Sequence, residues 1–219
     1  MARTALAVAA AVPLAAPAAG VAVLSEGFSD LAGLGDWDRI NRSFPPGIGW
    51  FQGNPDVFAA QSGAPGAYAA ANFLGAANGM GVVDNWLITP TLSLSGLTTL
   101  SFYTNRELAA GPDDLLEVRF GSGSGTDASA FGTLLATIGG GNAFPGSWQQ
   151  WSADLAVQGE GRFAFRYLGD AAVLGYVGLD TVRVVTAVPE PSGLLLLAGG
   201  LGVLGLAHRR ARSKSRRRA

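Results

Sequence analysis

Arg162 to Leu168 reads RFAFRYL, and this two-residue rhythm limits the possible folds more than any other feature of the chain. In an extended strand successive side chains point to opposite faces, so Phe163, Phe165 and Tyr167 share one face and Ala164 and Arg166 the other. The pattern recurs. Leu97 to Thr104 sets Leu100 and Phe102 against Thr99, Ser101 and Tyr103, and Leu115 to Phe120 sets Leu116, Val118 and Phe120 against Glu117 and Arg119. Val182 and Val184 share a face in a last strand that runs to about Thr186. Glycine and proline punctuate these runs at Phe44-Pro45-Pro46-Gly47, at GSGSG (121–125) and at Gly139-Gly140-Gly141-Asn142, as expected of turns. No helical period of useful length interrupts them, and no motif recurs at fixed spacing, which sets aside propellers and solenoids. The predicted fold class is all-β, a jelly-roll β-sandwich. About 165 residues suffice for one core.

The two ends follow different rules. Met1 to Ala22 has one early charge, Arg3, then an apolar stretch and small residues. That is the layout of a secretory signal peptide, and cleavage could follow Ala18 or Ala22. Pro13 and Pro17 argue against a stable core helix there. At the other end, Val188, Pro189, Glu190 and Pro191 precede an uncharged run, Ser192 to Ala207, and then the basic cluster Arg209–Arg218. The run is slightly short of the roughly 20 residues that span a bilayer, and snorkelling arginines bring it close to that length. The positive-inside rule keeps the arginines cytoplasmic and puts the preceding domain outside. The expected organisation is a signal peptide at 1–22, a sandwich domain at 23–187, and a sorting region at 188–219 whose single hydrophobic helix covers 192–207.

Charge is segregated in the same way. Between Val23 and Val188 seven arginines face fifteen carboxylates, a net charge of about −8, although the whole chain carries only −1. Such a domain repels nucleic acid and anionic lipid. The chain has no cysteine, and its only histidine, His208, and only lysine, Lys214, lie in the basic tail. The domain therefore cannot hold a Ser-His-Asp triad, a Cys-His pair, a Ser-Lys dyad or a His-ligated zinc.

The order Val188-Pro189-Glu190-Pro191, hydrophobic run, arginine cluster resembles a PEP-CTERM sorting signal. The resemblance implies export in a Gram-negative bacterium that makes exopolysaccharide, and processing by an exosortase-type enzyme. A second resemblance spans most of Leu24–Val185. It rests on Ser25-Glu26-Gly27-Phe28, Gly47-Ile48-Gly49-Trp50, Asp84 to Pro90 (DNWLITP), Ser147-Trp148 with Phe163 to Tyr167, and Gly178-Leu179-Asp180-Thr181-Val182. This order is similar to the cleaved-adhesin, or choice-of-anchor J, domains, and it implies a jelly-roll adhesin module. Where such domains often carry two acidic residues near the end, this chain has Asp180-Thr181.

Calcium takes six to eight oxygen ligands. In a jelly roll the first and last strands run close together, so Glu26 and Asp180 are candidate ligands, with Asp84 or Asn85 as a third source. The alternative is that Glu26 and Asp180 cap turns or pair with arginines such as Arg166 or Arg183. Asp113, Asp114 and Glu117 lie close enough in sequence to suggest a glycosidase carboxylate pair, although Pro112-Asp113-Asp114 reads as a turn opening a strand. Of five tryptophans, Trp86 and Trp151 fit strand cores, and Trp37, between Asp36 and Asp38, is the best candidate to stack on a sugar, the alternative being that it packs in the core or at its rim. GSGSG lacks the Lys-Ser/Thr of a phosphate loop.

These features together point to an exported, non-catalytic protein of the cell surface or extracellular matrix, acting in adhesion or in exopolysaccharide association. The expected partners are an exosortase-type enzyme, the inner membrane through the C-terminal helix before processing, and exopolysaccharide or surface proteins, but not nucleic acid. The alternatives are a secreted, carboxylate-dependent glycan-active enzyme and a structural surface module with no small ligand.

Overall fold

The computed structural model describes residues 20–108 and 113–188. Ten strands lie among them: β1 (Gly20–Glu26), β2 (Asp38–Asn41), β3 (Phe51–Gln52), β4 (Ala69–Asn72), β5 (Val82–Ile88), β6 (Leu92–Arg106), β7 (Leu115–Ser122), β8 (Thr133–Gly139), β9 (Gln149–Asp170) and β10 (Tyr176–Ala187). Residues up to 19, Pro189–Pro191, the hydrophobic run 192–207 and the arginine cluster lie outside the described residues. Among the described residues helical segments are single short turns, and none is long and apolar enough to cross a membrane.

β9 turns one hydrogen-bonded network into two facing sheets. Its first half pairs with β6 from Gln149↔Thr104 to Gly161↔Leu92. Its second half pairs with β5 on one edge and β7 on the other. The crossover falls near Gly161, where a Cβ would stand 2.5 Å from the Phe120 ring and Gly159 has φ +103°; only glycine fits both demands. One sheet is ordered β2-β5-β9-β7-β8 and the other β9-β6-β10. Beyond β10 the second sheet divides: β4 and then β3 flank its first half, and β1 its second. Every pairing is antiparallel.

The alternations read from the sequence set the core. Leu100, Phe102, Leu116, Val118, Phe163, Phe165, Tyr167, Val182 and Val184 are all buried between the sheets. Phe102 of one sheet meets Phe165 of the other edge-on, with ring centres 5.2 Å apart. Burying each large apolar side chain contributes roughly 1.5–3 kcal/mol. β1 begins at Gly20, so three residues placed by sequence at the end of the signal peptide pair with Ala187, Thr186 and Val185.

Two loops lie over the outer faces. Residues 53–67 cover Tyr68, Ala70 and Tyr176, and Ala128–Phe131 covers Trp86 and Ile88. The twelve residues of β10 span about 40 Å. Gly20 and Val188 lie at its finishing end, whereas the loops around Phe44, Phe73 and Val173 lie at its starting end.

Candidate functional site

The four candidate calcium ligands do not form one cluster: β1 sets Glu26 opposite Val182, near Asp180 on β10, whereas Asp84 and Asn85 lie on β5. Glu26 turns back on its own chain, its Oε1 accepting from the Phe28 amide at 2.6 Å. Phe28 sits at φ +49°, a strained conformation for an aromatic residue, and this bond supports it. Asp180 is fully buried on the outer side of β10. Its Oδ2 accepts from the amides of Gln61 at 2.9 Å and Ser62 at 3.1 Å. Its Oδ1 accepts from the Thr181 amide, with the Thr181 hydroxyl 3.2 Å away. Thr181 has φ +51° within the bulge that β10 makes between Asp180 and Arg183. Burial raises the Asp180 pKa, opposed by these amide and hydroxyl donors. The side chain is thus a latch joining the 53–67 loop to the bulge. Trp148 adds a second tie, its Nε1 donating to the Ala59 carbonyl at 2.8 Å, and the hydroxyls of Tyr68 and Tyr176 add a third at Asn54.

Asp84 lies on the other sheet. Arg166 holds both its oxygens, at 2.7 and 3.1 Å, and Trp86 Nε1 donates to Oδ1 at 2.7 Å. Asn85, the next residue of the strand, points inward and donates to the Ile48 carbonyl at 3.1 Å. Among the described residues no group of three or more His, Cys, Asp or Glu side chains is placed to hold a metal ion.

The carboxylate pair is split by the strand that carries it. Asp114, 1% exposed, points into the core, where it accepts from the Tyr167 hydroxyl and from the Gly175 amide at 2.8 Å. Glu117 points out of the same sheet and binds Arg119 at 2.8 Å and Arg166 at 3.2 Å. Burial pushes the Glu117 pKa up, but the hydrogen bonds and charges of Arg119 and Arg166 outweigh it and hold the carboxyl below the ordinary range. Asp113 accepts from the Gly141 amide. A glycosidase needs two carboxyls converging on one bond, and here they face opposite sides of a sheet.

Trp37, the sugar-stacking candidate, takes the packing alternative instead. It is 8% exposed and packs edge-on against Phe28, ring centres 5.3 Å apart. Its acidic neighbours suggested the surface, but a bend carries them outward while the ring turns in, and Arg162 ties Asp38 down. Trp50 and Trp86 are buried, and Trp148 and Trp151 are half-buried. None of the five tryptophans is fully exposed.

What is exposed is a set of apolar side chains that sequence reasoning passed over. Phe44 is 78% exposed, Met80 66% and Val82 59%; Ile48, Phe73, Leu74 and Val173 are also exposed. Backbone hydrogen bonds join their segments: Phe44 with Val82, Ile48 with Leu74, and Phe73 with Gly175. All lie at the end of the sandwich away from Gly20 and Val188. The signal was legible in FPPGIGW (44–50) and ANFLGAANGMGVV (71–83), where glycine-rich segments carry more apolar side chains than they bury: Trp50, Ala76 and Val83 enter the core, and Phe44, Phe73 and Met80 do not.

A β-sandwich whose buried carboxylates tie its own loops, and which gathers several exposed apolar side chains at one end, has the make-up of a binding module. Solved structures give that class a closer description. The K3 cleaved adhesin domain of Lys-gingipain from Porphyromonas gingivalis W83 is 28% identical, with a TM-score of 0.59, over 77% of this chain and 100% of that domain. The K1 cleaved adhesin domain of the same protein is also 28% identical, with a TM-score of 0.60, over 76% of this chain and 98% of that domain. The K2 domain shares the fold at 21% identity and a TM-score of 0.54. No family model matches the chain, and no curated protein matches it.

Proposed function

We propose that this chain is an exported surface module that acts in adhesion and catalyses no reaction. One observation carries the reading: the described domain is similar to whole cleaved adhesin domains, in sequence as well as fold. The split between Asp114 and Glu117 supports a non-catalytic role and counts against a glycan-active enzyme. The apolar end around Phe44, Met80 and Val82 is the proposed contact surface, because it stands farthest from the residue at which the chain leaves β10. The sorting part of the proposal rests on the sequence alone: an exosortase-type enzyme reads Val188–Pro191, and the hydrophobic run holds the precursor in the inner membrane.

For calcium, the proposal narrows to Glu26 and Asp180, and a cation there would compete with the amides that Asp180 already accepts from. Calorimetry with Ca²⁺ on the wild type and on Asp180→Ala tests it: heat that the variant loses supports a site, and no heat from either retires it.

The adhesion reading is tested by binding of the protein to whole cells and to exopolysaccharide, beside Phe44→Ser and Met80→Ser. Both substitutions change exposed side chains, so loss of binding with unchanged thermal stability supports the reading. Unchanged binding by the double variant overturns the apolar end as the contact surface, and absence of binding in the wild type favours a purely structural module. Mass spectrometry of the native protein tests the sorting proposal, which requires a chain that ends near Pro189–Pro191.

A further inference from the structure

Open sheet edges invite pairing with other chains, and proteins guard them with short strands, charges, bulges, prolines or covering loops. Four edges here are guarded. β3 has two residues, β2 has four and carries Asp38 and Arg39, β1 is bulged between Ala22 and Leu24, and β8 is bulged opposite Val118 and Arg119. The first half of β9 is different. It pairs with β6 over thirteen residues without a register shift. Its other edge, residues 149–158, pairs with nothing among the described residues. That stretch, QQWSADLAVQ, contains no proline, glycine, lysine or arginine. Its single charge, Asp154, is engaged by the Thr99 hydroxyl at 2.6 Å. Trp151, Leu155 and Val157 point inward but are only partly buried, so the core is incompletely covered along this side.

We propose that two copies of this chain pair antiparallel along this edge, about a two-fold axis at Ala153. Two registers overlap nine residues of the stretch, and the other one sets Asp154 against its own copy, where like charges repel. With the axis at Ala153, Trp151 of one copy faces Leu155 of the other on the inner side, and Ser152 faces Asp154 on the outer side. Both matches occur twice by symmetry. The direction of pairing has a consequence. The first half of β9 runs towards the end of the domain that holds Val188. Antiparallel pairing therefore sends the two chain ends in opposite directions, and a tethered copy pairs with a copy tethered to a facing surface. This last step rests on the adhesion reading above; the pairing itself does not.

The absence of native cysteine makes the test direct. Directly opposed residues in antiparallel strands have Cα atoms about 4.5–5.5 Å apart, within disulfide range. Full-length Ala153→Cys should therefore form a disulfide-linked dimer under mild oxidation in detergent, and Ala156→Cys, far from its own copy in this register, should not. Ser152→Asp should lower the dimer fraction roughly two- to tenfold by facing Asp154, and Ser152→Lys should raise it. Ser152 is exposed, so neither change disturbs the fold. A monomeric Ala153→Cys, or equal cross-linking by Ala156→Cys, overturns the pairing and leaves the adhesion reading to its own binding assay. If the dimer forms, cells carrying differently tagged copies are mixed: cross-links between tags support bridging, and cross-links only within one tag overturn it.

Discussion

The guanidinium of Arg166 lies 4.9 Å from the centre of the Trp86 ring while it grips both oxygens of Asp84. Trp86 in turn donates to the same carboxylate, and Glu117 takes the free side of the arginine. The hydrogen bond that Arg166 donates to Asp84 leads the effects that raise the Arg166 pKa. Arg166→Met removes the shared partner and leaves two half-buried carboxylates facing each other. We expect a loss of about 2 kcal/mol in chemical denaturation. Arg166→Lys should recover little of it, since an ammonium cannot bind bidentately.

Stability against pH should carry two opposing contributions. The Glu117 pKa is lowered in the fold, so its contribution is full above the ordinary value of 4.5 and is lost as pH falls through the folded value. The Asp180 pKa is raised, so its contribution is full below the ordinary 3.8 and is lost as pH rises through the folded value. Denaturation midpoints measured from pH 3 to pH 7 should flatten on the acid side in Glu117→Gln. In Asp180→Asn the decline that begins just above pH 3.8 should shrink. Unchanged profiles in both variants would refute the assignment.

Asp180→Ala should unfasten the 53–67 loop. The Gln61 and Ser62 amides would lose their acceptor, at a cost of roughly 1–3 kcal/mol. Hydrogen exchange separates this from general destabilisation: those two amides should exchange faster than the β6 and β9 ladder, which should stay protected.

Gly178 is the floor on which three rings rest. A Cβ there would stand 2.8 Å from Phe58, 2.9 Å from Trp148 and 3.0 Å from Tyr68. Gly178→Ala should cost about 1–3 kcal/mol through overpacking, with a change in near-ultraviolet circular dichroism as the rings shift.

Local pattern carried the fold further than it carried the site. Phe163, Phe165 and Tyr167 could be assigned to one face from their spacing alone, because side-chain alternation is a property of the strand itself. The latch at Asp180 could not, because its partners lie 118 and 119 residues away and only topology brings them together. The same holds for Asp84, whose arginine is 82 residues distant. Trp37 misled for a related reason: flanking charges report where the neighbours point, and the backbone bend decides where the ring goes.

The placement of β10 bears on how the domain would carry a mechanical load. If the molecule is held by its C-terminal side and pulled at the far end, force runs along this strand, which β6 flanks on one side and β4 and β1 on the other. The ladder bonds lie across the direction of pull, so they would be strained together in shear rather than opened one by one. A strand clamped in this way resists extraction until many bonds yield at once.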